Sequence, residues 1–156
     1  MKSIIICISA IFLSFNAVSQ DEPLTQTPHH FGLHAGVVSG FGFSYRYWPG
    51  KLGVQATGIP IFGPNNNFFS LGANGLYLIR DNRVADLYTY AGGQYLRLTG
   101  DFFGEENVVM VGGGLGIKFD LWQVVNLNFQ AGYAGYNINN SPLATFAAGW
   151  GIYYHL

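Results

Sequence analysis

Residues 126–137 read NLNFQAGYAGYN, with Asn126, Asn128 and Gln130 at one parity and Leu127, Phe129, Ala131 and Tyr133 at the other. A two-residue period belongs to a β-strand, so this stretch has one amide face and one apolar face. The same alternation runs through segments at about 30–38, 42–49, 51–61, 68–80, 86–98, 107–120, 122–135 and 143–156, less cleanly in the third and fifth. Between them stand SGF, PG, GPNNNF, DNRVA, TGDFFGEEN, LW and NINNSP. Such short connections make sequential strands antiparallel neighbours in an up-and-down meander. The uncharged run from Leu52 to Ile79 is long enough for a membrane helix, but Pro60, Pro64 and the PNNN turn break it into two strands.

The polar parity carries His34, Ser44, Arg46, Gln55, Asn74, Gln94, Lys118, Asp120, Asn126, Asn128 and Gln130, interleaved with glycines such as Gly112, Gly114 and Gly116. The opposite parity is Leu, Val, Ile, Phe and Tyr. A sheet face in bulk water carries many ionised side chains, yet charged residues are 10% of this chain while aromatics are 17%, against roughly 25% charged in ordinary soluble domains. Amides, hydroxyls and glycine suit a narrow enclosed lumen, and the greasy face suits hydrocarbon. The expected fold is therefore all-β, an eight-stranded antiparallel up-and-down transmembrane β-barrel. Tyr45, Tyr47, Trp48, Trp122, Trp150 and Tyr154 lie near turns or the chain end, where an interfacial aromatic girdle belongs.

Residues 1–19 have Lys2 at their head, an apolar run from Ile4 to Phe15, and Ala17-Val18-Ser19 before Gln20. This pattern predicts a secretory signal peptide cut after Ser19, then a polar leader at 20–29 and a barrel domain at 30–156. The one cysteine, Cys7, falls within the signal, so the mature chain has no disulfide or thiolate metal site. With Lys2 removed, six basic residues face eight acidic ones. No polybasic run is present, and nucleic acid is not an expected partner.

On this pattern residues 30–156 resemble the small eight-stranded outer-membrane barrels of Gram-negative bacteria, the OmpA/OmpX-like group. The most specific element is the carboxyl end, GWGIYYHL, where Gly151, Tyr154 and Leu156 match the terminal signal read by the outer-membrane assembly machinery. The family's commonest last residue is Phe, so Leu156 departs from the pattern. The resemblance implies an outer-membrane location, lipids and the assembly machinery as partners, a monomer without cofactors, and both chain ends in the periplasm. The fifth connection then faces outward, with Phe102, Phe103, Glu105 and Glu106 as contact residues.

Three chemistries remain to be weighed. Lipid-A modification needs a nucleophile beside a base; a three-residue SGF turn would pair His34 with Arg46 and leave Ser44 on a diagonal, with no inward carboxylate to orient the imidazole. Barrel closure would bring His29 or His30 near His155 as weak metal candidates at the rim, though no spacing motif fixes them. The lumen glycines would leave a void for a porin-like narrow channel or a small hydrophobic or lipid ligand, unless Lys118 and Asp120 pair and plug it. The reading is a non-catalytic envelope-structural or surface-contact barrel, with the ligand or channel barrel and the lipid-A enzyme as alternatives.

Overall fold

The computed structural model describes residues 28–64, 66–82, 84–100, 104–122, 124–138 and 141–155. They form β1 (His29–Gly36), β2 (Gly40–Tyr47), β3 (Leu52–Phe62), β4 (Asn66–Arg80), β5 (Ala85–Gly100), β6 (Gly104–Trp122), β7 (Val125–Ile138) and β8 (Ser141–His155). Each strand pairs antiparallel with the next, and β8 returns to β1 from His30↔His155 to Gly36↔Gly149, which closes the barrel. Closure gives the backbone groups along the paired ladders their partners without help from water.

Parity decides the facing. Outward Phe43, Val111 and Tyr133 are 57%, 60% and 72% exposed, whereas inward Ser44, Asn126 and Asn128 are fully buried. On β6 every outward position from Val109 to Leu121 is apolar or glycine. At about 3.3 Å per residue and a tilt near 40°, that belt stands roughly 30 Å tall, enough for an apolar band of about 25 Å. Polar groups bound it at the loop end: Arg97 pairs with Glu105 at 2.7 Å, and Tyr95 Oη donates to Asn107 Oδ1 at 2.8 Å.

The wall is uneven in height, because β1 and β2 have 8 residues each while β6 has 19. The first turn is Val37-Val38-Ser39, with Gly36 opposite Gly40, and not the SGF expected from the sequence. Consequently His34 faces Gly42 and Arg46 faces His30, which corrects the expected His34–Arg46 pairing. Gly40 (φ 87°) and Gly42 (φ 117°) take backbone conformations closed to most residues, so β2 leaves the turn bent into the lumen. There the Phe41 amide donates to Ser70 Oγ of β4 at 2.9 Å.

A second correction concerns the fifth connection, where β5 runs to Gly100 and β6 begins at Gly104 with Thr99 opposite Glu105. Ladder pairing claims most of the expected loop, so Glu105 and Glu106 are strand residues. Phe102, Phe103, Leu156 and the Trp122 side chain lie outside the described residues.

Candidate functional site

The interior divides into three levels. At mid-height Arg46, 1% exposed, is held by ring faces and an amide oxygen. Its Nη2 donates to Gln55 Oε1 at 2.7 Å, and its guanidinium carbon lies 4.2 Å from the Tyr153 ring centroid, 5.7 Å from Tyr88 and 5.8 Å from Trp48. Trp48 thus points inward, not into an outer girdle: it shares Arg46's parity, and the chain turns at Pro49–Gly50 so that the indole folds beneath Tyr88 at 5.2 Å. Tyr45, Tyr47, Trp150 and Tyr154 are exposed on the outer face.

Hydroxyls and amides fill the same level. Ser44 Oγ lies 2.8 Å from Thr57 Oγ1 and 3.0 Å from Tyr153 Oη, and Gln55 Nε2 donates to Thr57 Oγ1 at 3.1 Å. Tyr88 Oη donates to Asn128 Oδ1 and accepts from Gln130 Nε2 at 3.2 Å. Asn74 and Gln94 are buried at the same inward parity. Ser44 therefore bonds hydroxyls and a carbonyl, with no imidazole among its partners, and its full burial denies a substrate access.

The void expected beside Gly112, Gly114 and Gly116 is occupied. Val38 Cγ2 stands 2.9 Å from where a Gly112 Cβ would be, the Tyr88 phenol takes the space over Gly116, and the β7 backbone closes on Gly114. The glycines serve close approach of other groups.

At the end where the termini meet, Lys118 Nζ pairs with Asp86 Oδ2 at 2.7 Å and lies 3.6 Å from Asp120 Oδ2. Asp86 escaped the sequence reading because strand five alternates poorly. His30 packs edge-on against His155 at 4.3 Å between centroids, and Asn126 Nδ2 donates to His155 Nε2 at 2.9 Å. His29 turns outward instead, its Nδ1 2.6 Å from Tyr45 Oη. Among the described residues no three His, Cys, Asp or Glu side chains converge to hold a metal. A pocket of about 360 Å³ opens here, lined by His30, Trp48, Lys51, Asp81, Asp86 and Lys118 among others. In the β4–β5 turn, partial burial and then the neighbouring Asp86 carboxylate push the Asp81 carboxyl above its usual range.

The loop-end level is largely apolar, with buried Gln94 directing its Nε2 to Met110 Sδ at 3.5 Å, which the sequence did not suggest. Inward parity places Phe68, Leu96, Val108, Met110 and Tyr136 around a cup whose floor is Val38. The signal was present in β6, where Val108, Val109, Met110 and Val111 are apolar at both parities.

No family model matches the chain, and no curated protein matches it by sequence. Among solved structures it is similar to neisserial surface protein A, with 15% identity, 85% of this chain and 100% of that chain covered, and a TM-score of 0.57. It is also similar to the N-terminal β-barrel domain of Pseudomonas aeruginosa OprF, with the same identity and coverage and a TM-score of 0.53.

Proposed function

We propose that this chain, which has the fold of the small eight-stranded outer-membrane barrels, is a sealed, non-catalytic barrel of the Gram-negative outer membrane with an envelope-structural or surface-contact role. The observation that carries the reading is the filled mid-level: Arg46, Tyr88 and Tyr153, each 1% exposed or less, occupy the lumen inside an apolar exterior. A cross-section packed with side chains leaves no water file, and Ser44 bonds hydroxyls and a carbonyl instead of an imidazole, which supports the non-catalytic reading. Residues 1–19 direct export, Gly151, Tyr154 and Leu156 engage the assembly machinery, and the barrel stands as a monomer in lipid. Phe102, Phe103, Glu105 and Glu106 contribute to the exposed surface at the loop end.

Planar-bilayer recording of the refolded protein tests this reading. A sealed barrel gives no reproducible conductance steps, whereas regular steps would favour the channel. Gel mobility with and without boiling gives a companion readout, since an intact barrel shifts on heating.

A further inference from the structure

The inward bend of the β1–β2 hairpin leaves a gap in the wall. β8 pairs with β1 only as far as Gly36↔Gly149 and continues to Ser141, while β3 pairs with β2 only as far as Phe43↔Gly58 and continues to Phe62. The hairpin touches both strands just above those points, with Val37 N donating to Ala148 O at 3.2 Å and Gly42 lying against Ile59; beyond Ala148 and Ile59 neither edge has a ladder partner on the hairpin side among the described residues. Pro60, which has no amide hydrogen to strand, sits on the β3 edge. Ile61 and Leu143 are at inward parity yet 51% and 56% exposed, because no wall rises opposite to cover them. Outside the gap the apolar surface continues without a break, with Phe62 75% and Phe146 62% exposed on its two flanks.

A window in the wall thus joins an apolar interior to an apolar exterior. We propose that the cup takes one acyl chain of a surrounding outer-leaflet lipid, admitted sideways through this window. The occupant follows from continuity: the belt is solvated by lipid chains under the membrane reading above, on which this inference rests, and apolar Ile61 and Leu143 lead from it to Leu96, Val108 and Met110, with Thr145 and Gln94, whose Nε2 lies 3.5 Å from Met110 Sδ, as the neutral polar side chains at this level. Val38 sets the depth, since it caps the polar level and leaves only the loop-end half for the chain. The lipid's ester and headgroup region then lies at the window, where it and its water meet the unpaired edges at Pro60–Phe62 and Leu143–Ala147.

The test is photocrosslinking in phosphatidylcholine vesicles. A benzophenone side chain replaces inward Val108 in one variant and outward Val111 in another, and the folded, heat-shiftable gel band is analysed by intact mass. Phosphatidylcholine adducts at both positions, with the Val108 yield within about threefold of Val111, are expected. An adduct at Val111 without one at Val108 overturns the cup proposal and leaves the membrane reading standing. Absence of adducts at both overturns the membrane reading and the cup with it. Where the Val108 variant gives no heat-shiftable band, a diazirine on a cysteine at Met110 reports from the same cup by the same criteria. A closing variant, Leu143→Trp at the exposed inward position of the β8 edge, is expected to abolish the inward adduct and keep the outward one; an unchanged inward yield places the entry elsewhere and overturns the window.

Discussion

Ser39 Oγ donates to Gln130 Oε1 at 2.6 Å, joining the tip of the first hairpin to the far wall across the lumen. This bond and Val38 against Gly112 fix the hairpin in its inward position. A buried neutral hydrogen bond contributes about 1 kcal/mol net. Ser39→Ala is expected to lower stability in vesicles by about that amount, read from urea unfolding, and to raise hydrogen exchange at the Val38 amide above that of β6 amides. Equal exchange at both would mean the tip is held by packing alone.

Lys118 and Asp86 form an ion pair with side chains 4% and 6% exposed. Removing one partner leaves a buried charge without its partner, a loss of about 3–5 kcal/mol, whereas replacing both by apolar groups of similar volume is close to neutral. Lys118→Met should therefore be strongly destabilising, and adding Asp86→Leu should recover part of the loss, since Asp120, 3.6 Å from Lys118 Nζ, stays charged. Additive losses in the double variant would contradict the pairing.

Two glycines separate close approach from mere turn preference. A methyl on Gly114 would overlap the backbone of Ala131 and Gly132, while one on Gly75 would meet nothing nearer than the Ala91 carbonyl oxygen at 3.9 Å. Gly114→Ala is expected to cost about 3 kcal/mol, the upper range for overpacking, and Gly75→Ala to be neutral or mildly stabilising. Comparable unfolding midpoints for the two would contradict the packing described for β6 and β7.

Asp81 supplies a pH dependence. Its carboxyl is raised by partial burial and by Asp86, with Asp120 adding and Lys118 opposing. A folded pKa above the unfolded one means the folded state binds the proton more tightly, so this group favours folding at low pH. That contribution is lost as pH rises through the folded value. Asp81→Asn is expected to raise the unfolding midpoint over wild type at pH 7 and to leave it unchanged below the usual carboxylate range. A gain at both pH values would point to a cause other than ionisation.

Strand number, order and facing were legible in the sequence because they depend on local signals: alternation, turn residues and the scarcity of charge. The first hairpin was not, since Val37-Val38 reads as strand and Ser39-Gly40-Phe41 as turn, while the fold uses Gly40 and Gly42 to bend β2 inward. Asp86 and Trp48 were missed for a related reason. The partner of Lys118 comes from the poorly alternating fifth strand, and Trp48 shares the parity of Arg46 although its neighbours Tyr45 and Tyr47 face out. The apolar cup was hidden because Val108 to Val111 of β6 are apolar at both parities, leaving periodicity nothing to distinguish there.

The claim beneath all of this is that the apolar exterior meets hydrocarbon. Since the only cysteine is Cys7, single spin labels can be placed at Leu115 and Phe129 in a mature chain beginning at Gln20. After refolding into vesicles, collisions with oxygen, which concentrates in the bilayer, are compared with those of a water-soluble nickel chelate. Oxygen should dominate at both sites, and nickel accessibility there equal to that of a label at Lys51 would contradict the account.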